Sequence, residues 1–171
     1  MTSIIKATFE DFQLLTDIGK ITFLESHGHS ASAADINQYV REKYYANAFK
    51  EELSDPKNIY HIIYQDRQPA GFSKIIFNSP HSNIQEENIT KLERIYLLKE
   101  FYNLKLGAEL LRINIELSKQ NHQSAMWLFV WKENPRAVSF YTKAGFVVIG
   151  SYDFKLTETH SNPNHQMFLK Y

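Results

Sequence analysis

The chain has 171 residues, 43% of them apolar and 22% charged, with 19 basic side chains against 19 acidic ones and no cysteine. That length suits a single domain, residues 1–171, able to bury about 70% of the surface its unfolded form would expose. Balanced charge without a Lys- or Arg-rich block gives no support to a nucleic-acid or membrane surface, and the missing thiols rule out disulfides, thiolate metal sites and a cysteine acyl-enzyme. No apolar run approaches a membrane span and the N-terminus lacks a signal-peptide pattern, which points to a cytoplasmic protein.

Ser3 to Ala7 is a short strand candidate, and Thr8 with Asp11 resembles a capping box, with Asp in place of the usual Glu or Gln. Phe12, Leu15, Ile18 and Phe23 share one side of a helix over Glu10 to roughly Ser26, which His27-Gly28-His29-Ser30 breaks. Ser32 can cap a second helix carrying Ile36, Tyr39, Val40 and Lys43, and Ala46 to Ser54 is a third, ended by Asp55-Pro56. Ile59 to Gln65 and Ala70 to Phe77 are β-rich, and Asp66-Arg67-Gln68-Pro69 between them predicts a hairpin. Asn78 to Thr90 is polar, contains Pro80 and reads as an exposed loop, with the next strand over Leu92 to Leu98. Over Gly107 to Gln120 the spacing predicts a helix with Leu106, Leu110, Ile113 and Leu117 as its core stripe. Glu109, Arg112, Glu116 and Lys119 share the opposite face at ion-pair spacing.

The clearest run of signals lies between Trp127 and Gly150. Trp127 to Lys132 begins with five apolar residues and reads as a strand buried on both faces. Asn134 is a good N-cap and Pro135 fits the first helical position, where a missing N–H is harmless. Ala137, Phe140, Tyr141 and Ala144 line one face of the helix they open, and Gly145 can supply the left-handed residue that ends it. Phe146 to Ile149 reads as another strand, and Ser151 to Tyr171 holds one or two more around the turn-rich Thr157 to Asn164. Strand, long helix and buried strand make a βαβ unit, which implies parallel neighbours, and the hairpin before it makes the sheet mixed.

Asn134, Ala137, Phe140, Tyr141, Gly145 and Phe146, in the form N-x-x-A-x-x-F-Y-x-x-x-G-F, resemble the C-terminal signature of the GNAT superfamily of acyl-CoA N-acyltransferases. The resemblance implies an α/β fold, a central mixed sheet of about six to seven strands flanked by helices. It also implies a transferase using acetyl-CoA. Leu92 to Leu111, LERIYLLKEFYNLKLGAELL, resembles the family's strand, pyrophosphate turn of form [QR]-x-x-G-x-[GA], and helix. Aligned on the helix, the turn is Tyr102-Asn103-Leu104-Lys105-Leu106-Gly107, followed by Ala108, and only Gly107 matches the pattern. Tyr102 replaces Gln or Arg, and Lys105 stands where Gly lets the backbone approach closely. In such turns successive N–H groups and the helix dipole hold a diphosphate.

By the same resemblance, the main chain of Ile95, Tyr96 and Leu97 would contact the pantetheine arm and the acetyl carbonyl. Asn134 would add a hydrogen bond to the cofactor or to Tyr141, and Lys143 a contact to its phosphates. Attack on a thioester releases a thiolate, and a phenol of pKa about 10 can protonate it, which makes Tyr141 the candidate general acid. The acceptor amine arrives protonated and needs a base. Many relatives carry a Glu where this chain has Lys91; Glu93, two residues on and so on the same strand face as Lys91 and Ile95, is the candidate base or substrate anchor. His27 and His29 read as loop histidines near an acceptor site, and no metal is expected.

Thr22-Phe23-Leu24-Glu25, with LERIYLLKEF and VWKENPRAVSFYTKAGF, is most similar to the PaiA-type spermidine/spermine N-acetyltransferases. That resemblance implies direct transfer of acetyl to a primary amine, a polyamine such as spermidine being the acceptor it suggests. Glu25, Asp35, Glu93 and Glu158 are then possible carboxylates around a polycation. Zero net charge does not steer a polycation by itself. Two alternatives stand beside it: transfer to a peptide or other small amine, and a non-catalytic acyl-CoA-binding regulatory domain. A homodimer is the assembly that relatives suggest.

Overall fold

The computed structural model describes residues 1–171. β1 (Thr2–Lys6) leads into α1 (Phe12–His27), α2 (Ala33–Lys43) and α3 (Ala46–Ser54). β2 (Asn58–Gln65), β3 (Gln68–Ile76) and β4 (Ile89–Leu97) follow, then α4 (Leu106–Gln120), β5 (Ala125–Trp131), α5 (Pro135–Lys143), β6 (Val147–Lys155) and β7 (Ser161–Lys170). The strands form one mixed sheet in the order β1-β2-β3-β4-β5-β7-β6. β4 and β5 are parallel, as the βαβ reading requires, while β1–β2, β5–β7 and β6–β7 are antiparallel. The chain divides into two compact units, Met1–Ile75 with Arg94–Asn114, and Ile76–Glu93 with Ile115–Tyr171.

In the first unit, local chemistry sets the helix starts. Asp11 does the work of the expected Glu: its carboxylate accepts from the Thr8 N–H at 2.7 Å, fixing a 3-10 turn, Phe9–Asp11, ahead of α1. Ser32 Oγ accepts from the Asp35 N–H at 3.2 Å and starts α2. The hairpin between β2 and β3 is tighter than the sequence suggests. Its two-residue turn is Asp66-Arg67, with φ of +50° and +68°, the type I′ geometry whose twist matches the strands. Ile63, Ala70, Phe101, Leu106 and Leu110 form the core, and Ile95 and Leu97 pack against it. Gly71 allows β3 to pass close to β4: a Cβ there would lie 2.2 Å from the Tyr96 carbonyl oxygen and 2.9 Å from Leu97 Cα.

In the second unit, β4 begins earlier than expected. Ile89 and Thr90, read from sequence as loop, are buried and pair with Ala125 and Met126. The polar residues just before them hide a strand start that only burial reveals. The β4–β5 ladder then covers three pairs and ends at Lys91↔Trp127, although Leu92 and Glu93 continue β4 and Leu128 and Phe129 continue β5. β6 runs to Lys155, well past Ile149, because β7 gives it a partner along that whole length; Phe146 is buried just before it. The α4 stripe also differs from the apolar pattern. Leu106 and Leu110 are buried as expected, but so are Leu111, Asn114 and Ser118, while Ile113 and Leu117 are half-buried. Polar partners explain this, since Asn114 Nδ2 donates to Ser73 Oγ at 2.8 Å and Ser118 Oγ lies 2.7 Å from Thr90 Oγ1.

Candidate active site

The turn that precedes α4 has Lys105 where the family pattern has Gly, yet takes a glycine-like path there. Asn103 has φ of +68° and Lys105 φ of +61°, both left-handed. The Lys105 carbonyl accepts from the N–H groups of Ala108 at 3.0 Å and Glu109 at 3.2 Å, so Lys105 is the residue from which the helix starts. The N–H groups of Leu106 and Gly107 have no acceptor within the helix, because no earlier turn exists to supply one. Alternating hand in successive residues turns such groups toward one point, the concavity that binds anions. Leu106 anchors the turn in the core, and Asn103, Leu104, Lys105 and Ala108 are exposed around it. Tyr102 is half-buried and its N–H donates to the Lys99 carbonyl at 3.1 Å. An exposed ammonium and an open helix N-terminus fit a diphosphate.

Upstream, Thr90 Oγ1 meets Ser118 Oγ at 2.7 Å, and Lys91 Nζ reaches Glu93 Oε1 at 3.4 Å, so Lys91 and Glu93 share a side of β4. Ile95 and Leu97 pack against the core cluster of Ile63, Ala70, Phe101, Leu106 and Leu110. Tyr96 faces Phe72, edge-on at 5.8 Å, and His27 at 6.0 Å. His27 ends α1 rather than lying in a loop; it stacks on Phe23 at 5.3 Å, and its Nδ1 lies 2.7 Å from Ser26 Oγ. Burial, followed by the charge of His29, pushes its pKa down to about 4. Glu25 is exposed and its carboxylate accepts from the Lys99 N–H at 2.8 Å, which makes it a cap on the 3-10 turn Lys99–Phe101.

Sequence reasoning missed a charged cluster in this unit. The Glu52 carboxylate of α3 receives Lys74 Nζ at 2.6 Å, the Arg94 guanidinium at 3.2 and 3.3 Å, and the Tyr60 hydroxyl. Arg94 also lies 5.6 Å over the Tyr44 ring and 5.7 Å over Phe49. Burial alone would raise the Glu52 pKa, but Arg94 and then Lys74 hold it below its ordinary value. No periodicity in the sequence joins these residues, which come from four elements.

In the second unit, Asn134 caps α5 as expected: its Oδ1 accepts from the Ala137 N–H at 3.1 Å. Its Nδ2 and the second lone pair of Oδ1 remain for a further bond. Tyr141 is buried on the inner face of α5, edge-on to Phe140 at 5.1 Å and to Phe146 at 5.7 Å. Gly145, at φ +97°, ends the helix. Lys143 is exposed in the last turn. Glu93 is half-buried, and the ammonium of its partner Lys91 lies 5.3 Å from the Trp127 ring centroid. No group of three or more His, Asp or Glu residues is placed to hold a metal ion, and no helix is long and apolar enough to cross a membrane.

The chain thus has a mixed sheet with a parallel β4–β5 pair, a left-handed turn opening α4, and a capped α5 carrying a buried tyrosine. Residues 24–146 match the acetyltransferase (GNAT) family, and the chain belongs to that family. It is an N-acetyltransferase and its cofactor is acetyl-CoA. An uncharacterised N-acetyltransferase from the pepI 3′ region of Lactobacillus delbrueckii subsp. lactis is 25% identical over 90% of this chain and 88% of its own length. A spermidine N(1)-acetyltransferase of Thermoplasma acidophilum is 26% identical, over 84% of this chain and 86% of that one. Among solved structures, PaiA N-acetyltransferase from T. acidophilum in complex with coenzyme A superposes with a TM-score of 0.79, at 24% identity, over 100% of this chain and 99% of that one.

Proposed function

We propose that this protein moves an acetyl group from acetyl-CoA directly onto a small primary amine, with Tyr141 as general acid and Glu93 as base. The observation that supports the reading is the turn over Tyr102–Gly107, where Asn103 and Lys105 take left-handed backbone angles although neither is glycine. A conformation costing about 1 kcal/mol per left-handed side chain persists only where the surroundings enforce it. In this reading Leu106 and Gly107 donate their N–H groups to the diphosphate, with Ala108 and the flanking Asn103 and Leu104 shaping the rim. Lys105 supplies a cation, and Lys143 a second. The main chain of Ile95, Tyr96 and Leu97 orients the pantetheine arm and polarises the carbonyl under attack. Acetyl-CoA supplies the activated acyl group. Glu93 takes a proton from the acceptor ammonium, directly or through water, and Tyr141 gives one to the departing sulfur. With no cysteine in the chain, a thiol-bound intermediate has no residue to form on.

A polyamine acceptor is the second reading, and the spermidine N(1)-acetyltransferase relative favours it. Thiol release from acetyl-CoA with spermidine, amino-acid amides and peptides tests both. Turnover with none of them, alongside calorimetric binding of coenzyme A, would leave an acyl-CoA-binding regulatory domain.

A further inference from the structure

One face of the second unit carries two buried amide side chains, Asn164 and Gln166. On β5, Trp127 and Phe129 alternate onto a single side, with the Lys91 ammonium above both rings, at 5.3 and 5.9 Å from their centroids. Opposite Phe129 on β7 stands Gln166, and two residues away on the same side stands Asn164. Gln166 is 1% exposed and Asn164 8% exposed, yet Gln166 Nε2 and Asn164 Oδ1 have no hydrogen-bond partner. A buried polar atom left so costs about 1–3 kcal/mol, and native chains keep one for a reason.

The rest of the surroundings hold Gln166 in place. Asn83, from the loop before β4, donates through Nδ2 to Gln166 Oε1 at 2.5 Å, and its own Oδ1 meets His81 Nδ1. However the amides are turned, Asn83 engages one heteroatom of Gln166 and leaves the other without a partner. Gly150 lies opposite Gln166 on β6, at a register shift, and a Cβ there would come within 3.1 Å of Asn83 Nδ2 and 3.2 Å of Gln166 Oε1. Its missing side chain keeps the Asn83–Gln166 pair uncrowded. Tyr152, opposite Asn164 on β6 and 44% exposed, stacks on Phe129 at 4.3 Å and forms the outer edge of this face.

We propose that Gln166 and Asn164 form the acceptor subsite, and that the acceptor amine carries a peptide or carboxamide group. The Gln166 Nε2–H donates to the carbonyl oxygen of that group and Asn164 Oδ1 accepts from its N–H, while Phe129 flanks its plane. Donor and acceptor stand roughly 6.6 Å apart along the strand, set by its rise, so the group lies between them. Lys91 on the same face disfavours a polycation and holds Glu93, the candidate base, beside the subsite. The inference rests on the N-acetyltransferase reading and adds to it the chemistry of the acceptor.

The test compares kcat/KM for L-alaninamide, isobutylamine and spermidine in the parent, Gln166→Leu, Asn164→Leu and the surface variant Asn83→Ala. The parent should favour alaninamide over isobutylamine by about 10-fold or more, since a site with buried hydrogen-bonding groups rejects a ligand lacking their partners. Gln166→Leu or Asn164→Leu should bring that ratio near one, and Asn83→Ala should lower it a few-fold by loosening Gln166. Equal or better use of isobutylamine or spermidine by the parent, or an unchanged ratio in Gln166→Leu, would overturn the subsite. If coenzyme A binds but no acceptor releases thiol, the enzyme reading is what fails. The subsite is then read from the side-chain amide resonances of Gln166 and Asn164 during titration with alaninamide. Shifts with alaninamide and not with isobutylamine uphold it, and their absence rejects it.

Discussion

Tyr141 and Lys105 show what single side chains contribute. Tyr141 packs like a core aromatic, edge-on to Phe140 and Phe146, and a phenylalanine would fill the same space. Tyr141→Phe should therefore leave urea unfolding and coenzyme A affinity nearly unchanged while lowering kcat by about 10²-fold, the ordinary worth of a positioned acid. Unaltered kcat would remove Tyr141 from the chemistry. Lys105 bears strain that its family position normally relieves with glycine. Lys105→Gly should raise unfolding free energy by about 1 kcal/mol and, by deleting an ammonium from the proposed diphosphate site, weaken calorimetric coenzyme A binding several-fold. Sequence reasoning placed the lysine correctly in the turn but had no means of seeing its dihedral angle, because side-chain type biases backbone hand without deciding it.

At the scale of elements, what could be read in advance was whatever one stretch encodes by itself. The α5 segment carries its cap, first-turn proline, apolar face and stop in consecutive residues, and α3 keeps its expected bounds because Asp55-Pro56 ends it chemically. The start of β4 at Ile89 and the full reach of β6 depend on partner strands distant in sequence, so no local pattern announces them. Gln166, Asn83 and the Glu52 cluster were hidden for the same reason. Gly71 is the point where one strand's residue governs another's path. Gly71→Ala should displace the main chain at Tyr96 and Leu97, cost roughly 1–3 kcal/mol or more in denaturant unfolding, and weaken coenzyme A binding in parallel. Loss of stability with coenzyme A affinity intact would separate the strand contact from the cofactor site. Asn134→Ala, which removes only a cap, should cost about 1 kcal/mol by the same assay.

For the whole molecule, zero net charge conceals an uneven response to acid. His27 is held neutral by burial and by His29, with its pKa moved from 6.5 to about 4. The unfolded chain takes up this proton near pH 6.5 and the folded chain only near pH 4, so falling pH favours unfolding across that window. Stability from this residue is complete above pH 6.5 and is lost progressively as pH drops to about 4, on the order of 3 kcal/mol. Glu52 acts lower down. Its depressed pKa means that its contribution is intact above the ordinary carboxylate value of 4.5 and is lost as pH falls through the lowered one. Urea unfolding of the parent between pH 7 and 4 should show a decline already under way by pH 5.5, where few carboxylates titrate. His27→Gln should flatten the curve above pH 4.5 while leaving the steeper acid limb, and Glu52→Gln should soften that limb at the expense of stability at pH 7, because Lys74 and Arg94 lose a shared carboxylate. A His27→Gln curve as steep as the parent's between pH 6.5 and 4.5 would assign the decline to other groups, first to His61, whose pKa burial also lowers.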